Sequence, residues 1–253
     1  MRIAVFDSKQ YDRSALDAAN PHFSHELIYF DDRLNANTVP LAAGFDVVCP
    51  FVNDKLDAAT IAKLAQSGVQ MIALRCAGYN GVDLAAAELH GITVTNVPAY
   101  SPEAVAEHVF ALLLTLVRKT HRAYNRIREG NFTLDGLEGF NLHGRTFGIV
   151  GAGKIGLATA RIAAGFGCKV IAYDPYPSDH PQIEWLSRDE LFARADIISL
   201  HSPLLASTQH MINAETLARM KHGAVIINTS RGGLIDTRAL LQALKSGQIG
   251  GVG

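Results

Sequence analysis

The sequence has 253 residues, enough for one large or two modest domains. It is 48% hydrophobic and 19% charged, the balance of a globular protein rather than a disordered one. A net charge of −1 with no basic stripe gives nucleic-acid binding no electrostatic support, so no nucleic-acid partner is expected.

The first hundred residues alternate β and α patterns. Apolar, β-branched runs predict strands over 2–6, 27–30, 47–51, 70–75 and 93–97. Helical segments are predicted between them near 14–19, 58–66 and 83–89. Such alternation implies a parallel sheet covered on both faces.

A long helix is predicted next. Ser101 suits its N-cap, Pro102 its first position, and Glu103 complements the dipole. Residues 104–117 are apolar almost all round, which predicts a buried helix between domains or subunits. The apolar run 109–117 is far below the roughly 20 residues that span a bilayer, so no membrane association is expected. His108 lies in this helix and is read as structural. Its neighbour Glu107 points to another side, so the two make no dyad.

The glycine-rich segment 147–156 (FGIVGAGKIG) carries most of the functional information. A strand is predicted over 146–150 and a helix over 157–166, with G-x-G-x-x-G between them at Gly151, Gly153 and Gly156. A second strand, 170–174, ends in Asp174, 18 positions after Gly156. This is the layout of a dinucleotide site. Gly151 permits the tight turn, Gly153 lets the backbone approach a pyrophosphate, and Gly156 lets helix and strand pack closely. Asp174 can accept from both adenine-ribose hydroxyls and would repel a 2′-phosphate, and Pro175 rather than Arg follows it. NAD is therefore expected over NADP.

Further strands are predicted over 196–200 and 224–228, and helices over 188–194, 214–220 and 237–246. A strand begins near residue 249, so the sheet is expected to end at its fifth strand with an unpaired edge. Cys49, Cys76 and Cys168 lack metal-ligand spacing and read as reduced thiols of a cytoplasmic protein. No secretory signal is expected, because the N-terminal apolar run is short and meets Asp7 at once. No histidine pair has metal-like spacing with a third ligand, so no metal is predicted.

Several blocks in order now resemble the D-isomer-specific 2-hydroxyacid dehydrogenases, most closely the bacterial fermentative D-lactate dehydrogenases. They are 75–83 (RCAGYNGVD), 97–108 (VPAYSPEAVAEH), the glycine loop with 173–176 (YDPY), 201–204 (HSPL) and 227–236 (INTSRGGLID). The resemblance implies two Rossmann-like parallel-sheet α/β domains. Residues 1–99 would be a flavodoxin-like substrate domain, and residues 100–253 an NAD-binding Rossmann domain. It implies reduction of a 2-keto acid by NADH to a D-2-hydroxy acid, most simply pyruvate to D-lactate. It also implies a homodimer formed through the coenzyme domain.

The resemblance assigns residues as well. Arg231 matches the catalytic arginine that grips the substrate carboxylate and carbonyl oxygen. A guanidinium suits that role, being always charged and offering a planar fork of donors. Cys76, Ala77 and Gly78 match the loop whose amides hold the carboxylate, and Tyr100 a residue lining the pocket. Gly151, Gly153, Lys154, Ile155 and Gly156 match the pyrophosphate turn, and Asp174 the ribose ligand. His201, Pro203, Thr229 and Ser230 match segments beside the adenine and nicotinamide.

Each assignment has a plainer reading. Arg75 could simply anchor a loop, Cys76 could be a packed small side chain, Tyr100 could fill a hinge, and Arg231 could be a surface ion-pair residue. The family's remaining catalytic carboxylate and its histidine acid correspond to positions beyond residue 253, as does the segment that completes the substrate domain. His201 is a poor substitute acid, since its counterpart lies beside the cofactor. The 253-residue chain is therefore expected to be weakly active or inactive and marginally stable, and the alternative reading is a non-catalytic NAD(H)-binding fragment or sensor module.

Overall fold

The computed structural model describes residues 1–98, 101–178 and 180–253. The chain forms two compact units, Met1–Tyr100 and Ser101–Gly253.

In the first unit the elements run β1 (Arg2–Val5), α1 (Gln10–Ala19), β2 (Glu26–Tyr29), β3 (Val47–Cys49), α2 (Ala58–Gln66), β4 (Met71–Ala73), α3 (Leu84–Leu89) and β5 (Thr93–Thr95). The sheet order is β2-β1-β3-β4-β5, with every pairing parallel. This is the doubly wound, flavodoxin-like order. Phe6, Leu34, Val48, Ile61, Leu64 and Ile72 anchor its core. Helix α2 starts where Asp57 accepts from the Thr60 amide at 2.9 Å, and α3 where Asp83 accepts from Ala86 at 3.0 Å. Helix α1 begins four residues before the predicted 14–19. Asp12 accepts from the Lys9 amide at 2.9 Å and closes the first turn early.

The second unit continues with α4 (Pro102–Arg118), α5 (Thr120–Arg128), β6 (Thr146–Val150), α6 (Lys154–Gly165), β7 (Lys169–Tyr173), β8 (Glu184–Trp185), α7 (Arg188–Arg194), β9 (Ile197–Leu200), α8 (Ala214–Arg219), β10 (Ala224–Asn228), α9 (Thr237–Lys245) and β11 (Ile249–Val252). The sheet order is β11-β10-β9-β6-β7-β8, again all parallel. Read from β6, it is the 3-2-1-4-5-6 order of a dinucleotide-binding fold. Its sixth strand corrects the expected five. Glu184–Trp185 pair with β7 in a strand too short to leave a periodic signature.

Alternate residues of these strands feed opposite cores. Ile197, Val225 and Ile227 pack with Val109 and Leu113 of α4, while Ile198 and Ile226 pack with Leu191 and Leu217 of α7 and α8. Ser101 caps α4, accepting from Ala104 at 3.2 Å. Only one face of α4 is buried; Glu103, Ala104, Glu107, His108 and Ala111 lie exposed in the chain. The alanines on that face cost little to leave in water, which hides the amphipathicity from a count of apolar residues. Helix α5 was not predicted from sequence. It turns off α4 at Lys119, whose φ of 51° breaks the longer helix.

Candidate functional site

The glycine turn lies at the C-terminal end of β6, next to β9, where the strand order reverses direction. Ligands of open α/β sheets bind at such switch points. Gly151 has φ +93°, and a Cβ there would lie 2.9 Å from the His201 carbonyl carbon and 2.9 Å from the Ser202 nitrogen. A Cβ on Gly156 would collide with the Gly151 carbonyl oxygen. Gly153 differs: a Cβ there would meet nothing within 4 Å. It opens onto free space in front of the N-terminus of α6, where Gly153 caps the helix without a side-chain acceptor. Lys154 and Ile155 open that helix, so their amides belong to its first turn, where helix N–H groups lack intrahelical partners and the dipole favours an anion.

Asp174 closes the turn from the side. Its Oδ2 accepts from the Ala152 amide at 2.7 Å and its Oδ1 from the Tyr176 amide at 2.8 Å. Each oxygen keeps a lone pair for a hydroxyl donor. The turn, the open ground before α6 and the fixed carboxylate fit a dinucleotide. Lys154 and Ile155 would hold its diphosphate and Asp174 its adenine ribose.

The ends of β9 and β10 bring the remaining positions of this unit together. The Ser230 hydroxyl donates to the Leu200 carbonyl at 2.9 Å, and its amide to Asn228 Oδ1 at 2.9 Å. Asn228 Nδ2 donates to the Arg231 carbonyl at 2.9 Å. Asn228 thus shapes the loop that carries Thr229, Ser230 and Arg231. It was missed as a site residue, although an Asn at a strand end before Thr-Ser carries the composition of an Asx turn. Among the described residues the half-buried Arg231 guanidinium makes one bond, to the Ser230 carbonyl at 3.1 Å. Most of its donor fork is left for an anion. His201 stands at the end of β9, and its amide donates to the Val150 carbonyl at 2.8 Å. Pro203 is exposed just beyond.

In the first unit, residues 76–78 follow β4. The carbonyls of Cys76, Ala77 and Gly78 accept from the Val97 amide (3.1 Å), Asn96 Nδ2 (2.8 Å) and the Cys76 thiol (3.2 Å). These bonds commit the loop's carbonyls within the first unit. Tyr100 lies outside the described residues.

A family model described as "D-isomer specific 2-hydroxyacid dehydrogenase, NAD binding domain" matches residues 110–253. The chain is 52% identical over 258 residues to 2-hydroxyacid dehydrogenase A of Aspergillus oryzae, covering 100% of this chain and 74% of that protein. The apo structure of D-lactate dehydrogenase from Escherichia coli superposes with a TM-score of 0.91 at 46% identity, covering 100% of this chain and 81% of that one. D-lactate dehydrogenase from Aquifex aeolicus, solved with NAD and lactic acid, superposes with a TM-score of 0.87 at 34% identity, over 99% and 75% of the two chains.

The chain belongs to the D-isomer-specific 2-hydroxyacid dehydrogenases. It is an NAD-dependent oxidoreductase, and NAD is its coenzyme.

Within this dehydrogenase, Arg75 is an anchor. Its Nε pairs with Asp12 Oδ1 at 3.2 Å, Nη1 donates to the Cys49 carbonyl at 3.0 Å and Nη2 to the Asp7 carbonyl at 2.8 Å. The guanidinium also lies 4.7 Å from the centroid of the Phe51 ring. These bonds tie together the C-terminal ends of β1 and β3 immediately before the 76–78 loop. The plainer sequence reading of Arg75 is thus the one the fold displays.

His201 is held neutral. Burial lowers its pKa from 6.5 to about 4. The unfolded chain binds this proton first, so the protein should lose stability as pH falls from 6.5 through about 4. Above pH 6.5 the contribution is complete. At about 1.4 kcal/mol per pH unit, the loss should approach about 3 kcal/mol. Urea denaturation at pH 7, 5.5 and 4 should show this decline, and His201→Gln should flatten it. An identical decline in the variant would assign the acid sensitivity elsewhere.

Proposed function

We propose that this dehydrogenase reduces pyruvate with NADH to D-lactate, with residues 1–99 serving the substrate and residues 100–253 the coenzyme. The observation that carries the proposal is Arg231. A guanidinium with most of its donors uncommitted stands on a loop at the C-terminal edge of a dinucleotide-binding sheet. The printed names of D-lactate dehydrogenases among the similar proteins support the choice of substrate.

The coenzyme supplies the hydride. The amides of Lys154 and Ile155 bind its diphosphate, and Asp174 orients the adenine ribose. The resemblance gives the substrate carboxylate to the backbone amides of Cys76, Ala77 and Gly78. Arg231 grips the carboxylate and the keto oxygen, and stabilises the negative charge that develops on that oxygen. No histidine of these 253 residues is assigned the proton transfer. His201 is neutral and bonded to Ser199.

Asp174→Ala tests the coenzyme half. Losing charge-assisted bonds worth about 1.5–3 kcal/mol should weaken NADH binding roughly 10- to 100-fold. It should also bring NADPH nearer to NADH in affinity. Fluorescence titration with both coenzymes checks this, and an unchanged preference would remove Asp174 from the ribose.

A homodimer formed through the coenzyme unit and a cytoplasmic setting belong to the same proposal. Tyr124, Ile127, Phe132 and Leu134 are exposed on α5 and the segment after it, large apolar side chains that a second copy could cover. The three free thiols suit a reducing compartment. Sedimentation should show a dimer, and Phe132→Glu should shift it towards monomer.

A further inference from the structure

Ser199 is a fully buried hydroxyl in β9, in a strand otherwise made of Ile197, Ile198 and Leu200. Its Oγ lies 2.9 Å from His201 Nε2. Among the described residues the serine hydroxyl has no other partner. A buried hydroxyl with one acceptor in reach gives its hydrogen to that acceptor. Nε2 is then the acceptor nitrogen, and the neutral ring carries its own hydrogen on Nδ1.

His201 Nδ1 is buried without a partner in the chain, and so is Thr229 Oγ1. His201 and Thr229 are the residues that directly follow the two paired strands, whose last pairs set Ser199 opposite Ile227 and Leu200 opposite Asn228. The bond between Ser199 and His201 keeps those two side chains on the same side of the sheet. Leaving a polar atom buried and unpaired costs about 1–3 kcal/mol, and folds keep few such atoms without a use.

The place gives the use. The backbone of His201 is what a side chain at Gly151 would strike, so His201 borders the diphosphate turn. Asp174 at the end of β7 takes the adenine side of the switch point. The ends of β9 and β10 lie on its other side, so they face the other nucleoside. We propose that Ser199 is a positioning residue that fixes the His201 tautomer, so that Nδ1–H, together with the Thr229 hydroxyl, hydrogen-bonds the nicotinamide nucleoside of bound NAD(H). This rests on the coenzyme reading and adds to it a donor, a tautomer and the side chain that sets it.

The test pairs nitrogen NMR of the imidazole with coenzyme titration. In the coenzyme-free protein, the His201 ring should show the Nδ1–H tautomer. Ser199→Ala should admit the Nε2–H form, and Ser199→Thr, which keeps the hydroxyl, should restore the original signature. Adding NADH should shift the Nδ1 resonance. Ser199→Ala and Thr229→Val should each weaken NADH roughly 3- to 10-fold, the loss of one hydrogen bond. An Nε2–H tautomer in the unaltered protein would overturn the proposal. So would an Nδ1 resonance unmoved by saturating NADH. Failure of the unaltered protein to bind NADH at all would defeat the coenzyme reading instead, and the tautomer measurement would still decide the role of Ser199.

Discussion

Arg231→Ala is expected to weaken binding of oxamate, an unreactive pyruvate isostere, to the NADH complex by about 2–4 kcal/mol, on the order of 30- to 1,000-fold. NADH affinity itself should stay within about threefold. The asymmetry follows from the structure. The Arg231 backbone is fixed from Asn228, while its guanidinium spends one bond on the Ser230 carbonyl and makes none to the glycine turn. Arg231→Lys should recover only part of the loss, because an ammonium keeps the charge but not the fork. Quenching of NADH fluorescence by oxamate measures both constants. Equal loss of oxamate and NADH would place Arg231 in the coenzyme site and take it from the substrate.

Arg75→Met should destabilise the first unit by about 3–5 kcal/mol, the usual result of removing one partner of a buried ion pair. The Arg75 and Asp12 side chains are only 12% and 10% exposed, so water would not replace the lost bonds. Asp12→Asn added to Arg75→Met should restore part of the loss by discharging the stranded carboxylate. Hydrogen exchange at the amides of β1 and β3, whose ends Arg75 ties, is the direct readout. Exchange unchanged within error would mean that the three bonds contribute little.

The legible parts of the fold were those written by sterics and pattern. The strands 146–150 and 224–228 and the helix 58–66 carry β-branched runs or clean caps, and their bounds fell where expected. Helix α5 could not be read, because 120–128 is mostly polar and basic and its short apolar stripe, Ala123, Tyr124 and Ile127, is easily overlooked. Strand β8 is two residues long and exists by pairing with β7. The glycine turn was legible down to its atoms, since Gly151 and Gly156 admit no Cβ for reasons that spacing alone conveys. Asn228 and Ser199 were not legible. One acts through a loop that has to be folded to be seen, and the other is an ordinary serine until its neighbour two residues on is found to be a buried histidine. Arg75 shows the same limit. Three of its bonds reach residues 26 to 68 positions away in sequence.

A crystal structure with NADH bound tests the central claim most directly. The diphosphate should lie on the amides of Lys154 and Ile155, in the open ground before Gly153, with the adenine-ribose hydroxyls on Asp174. A diphosphate seated anywhere else, with that ground left to water, would contradict the account.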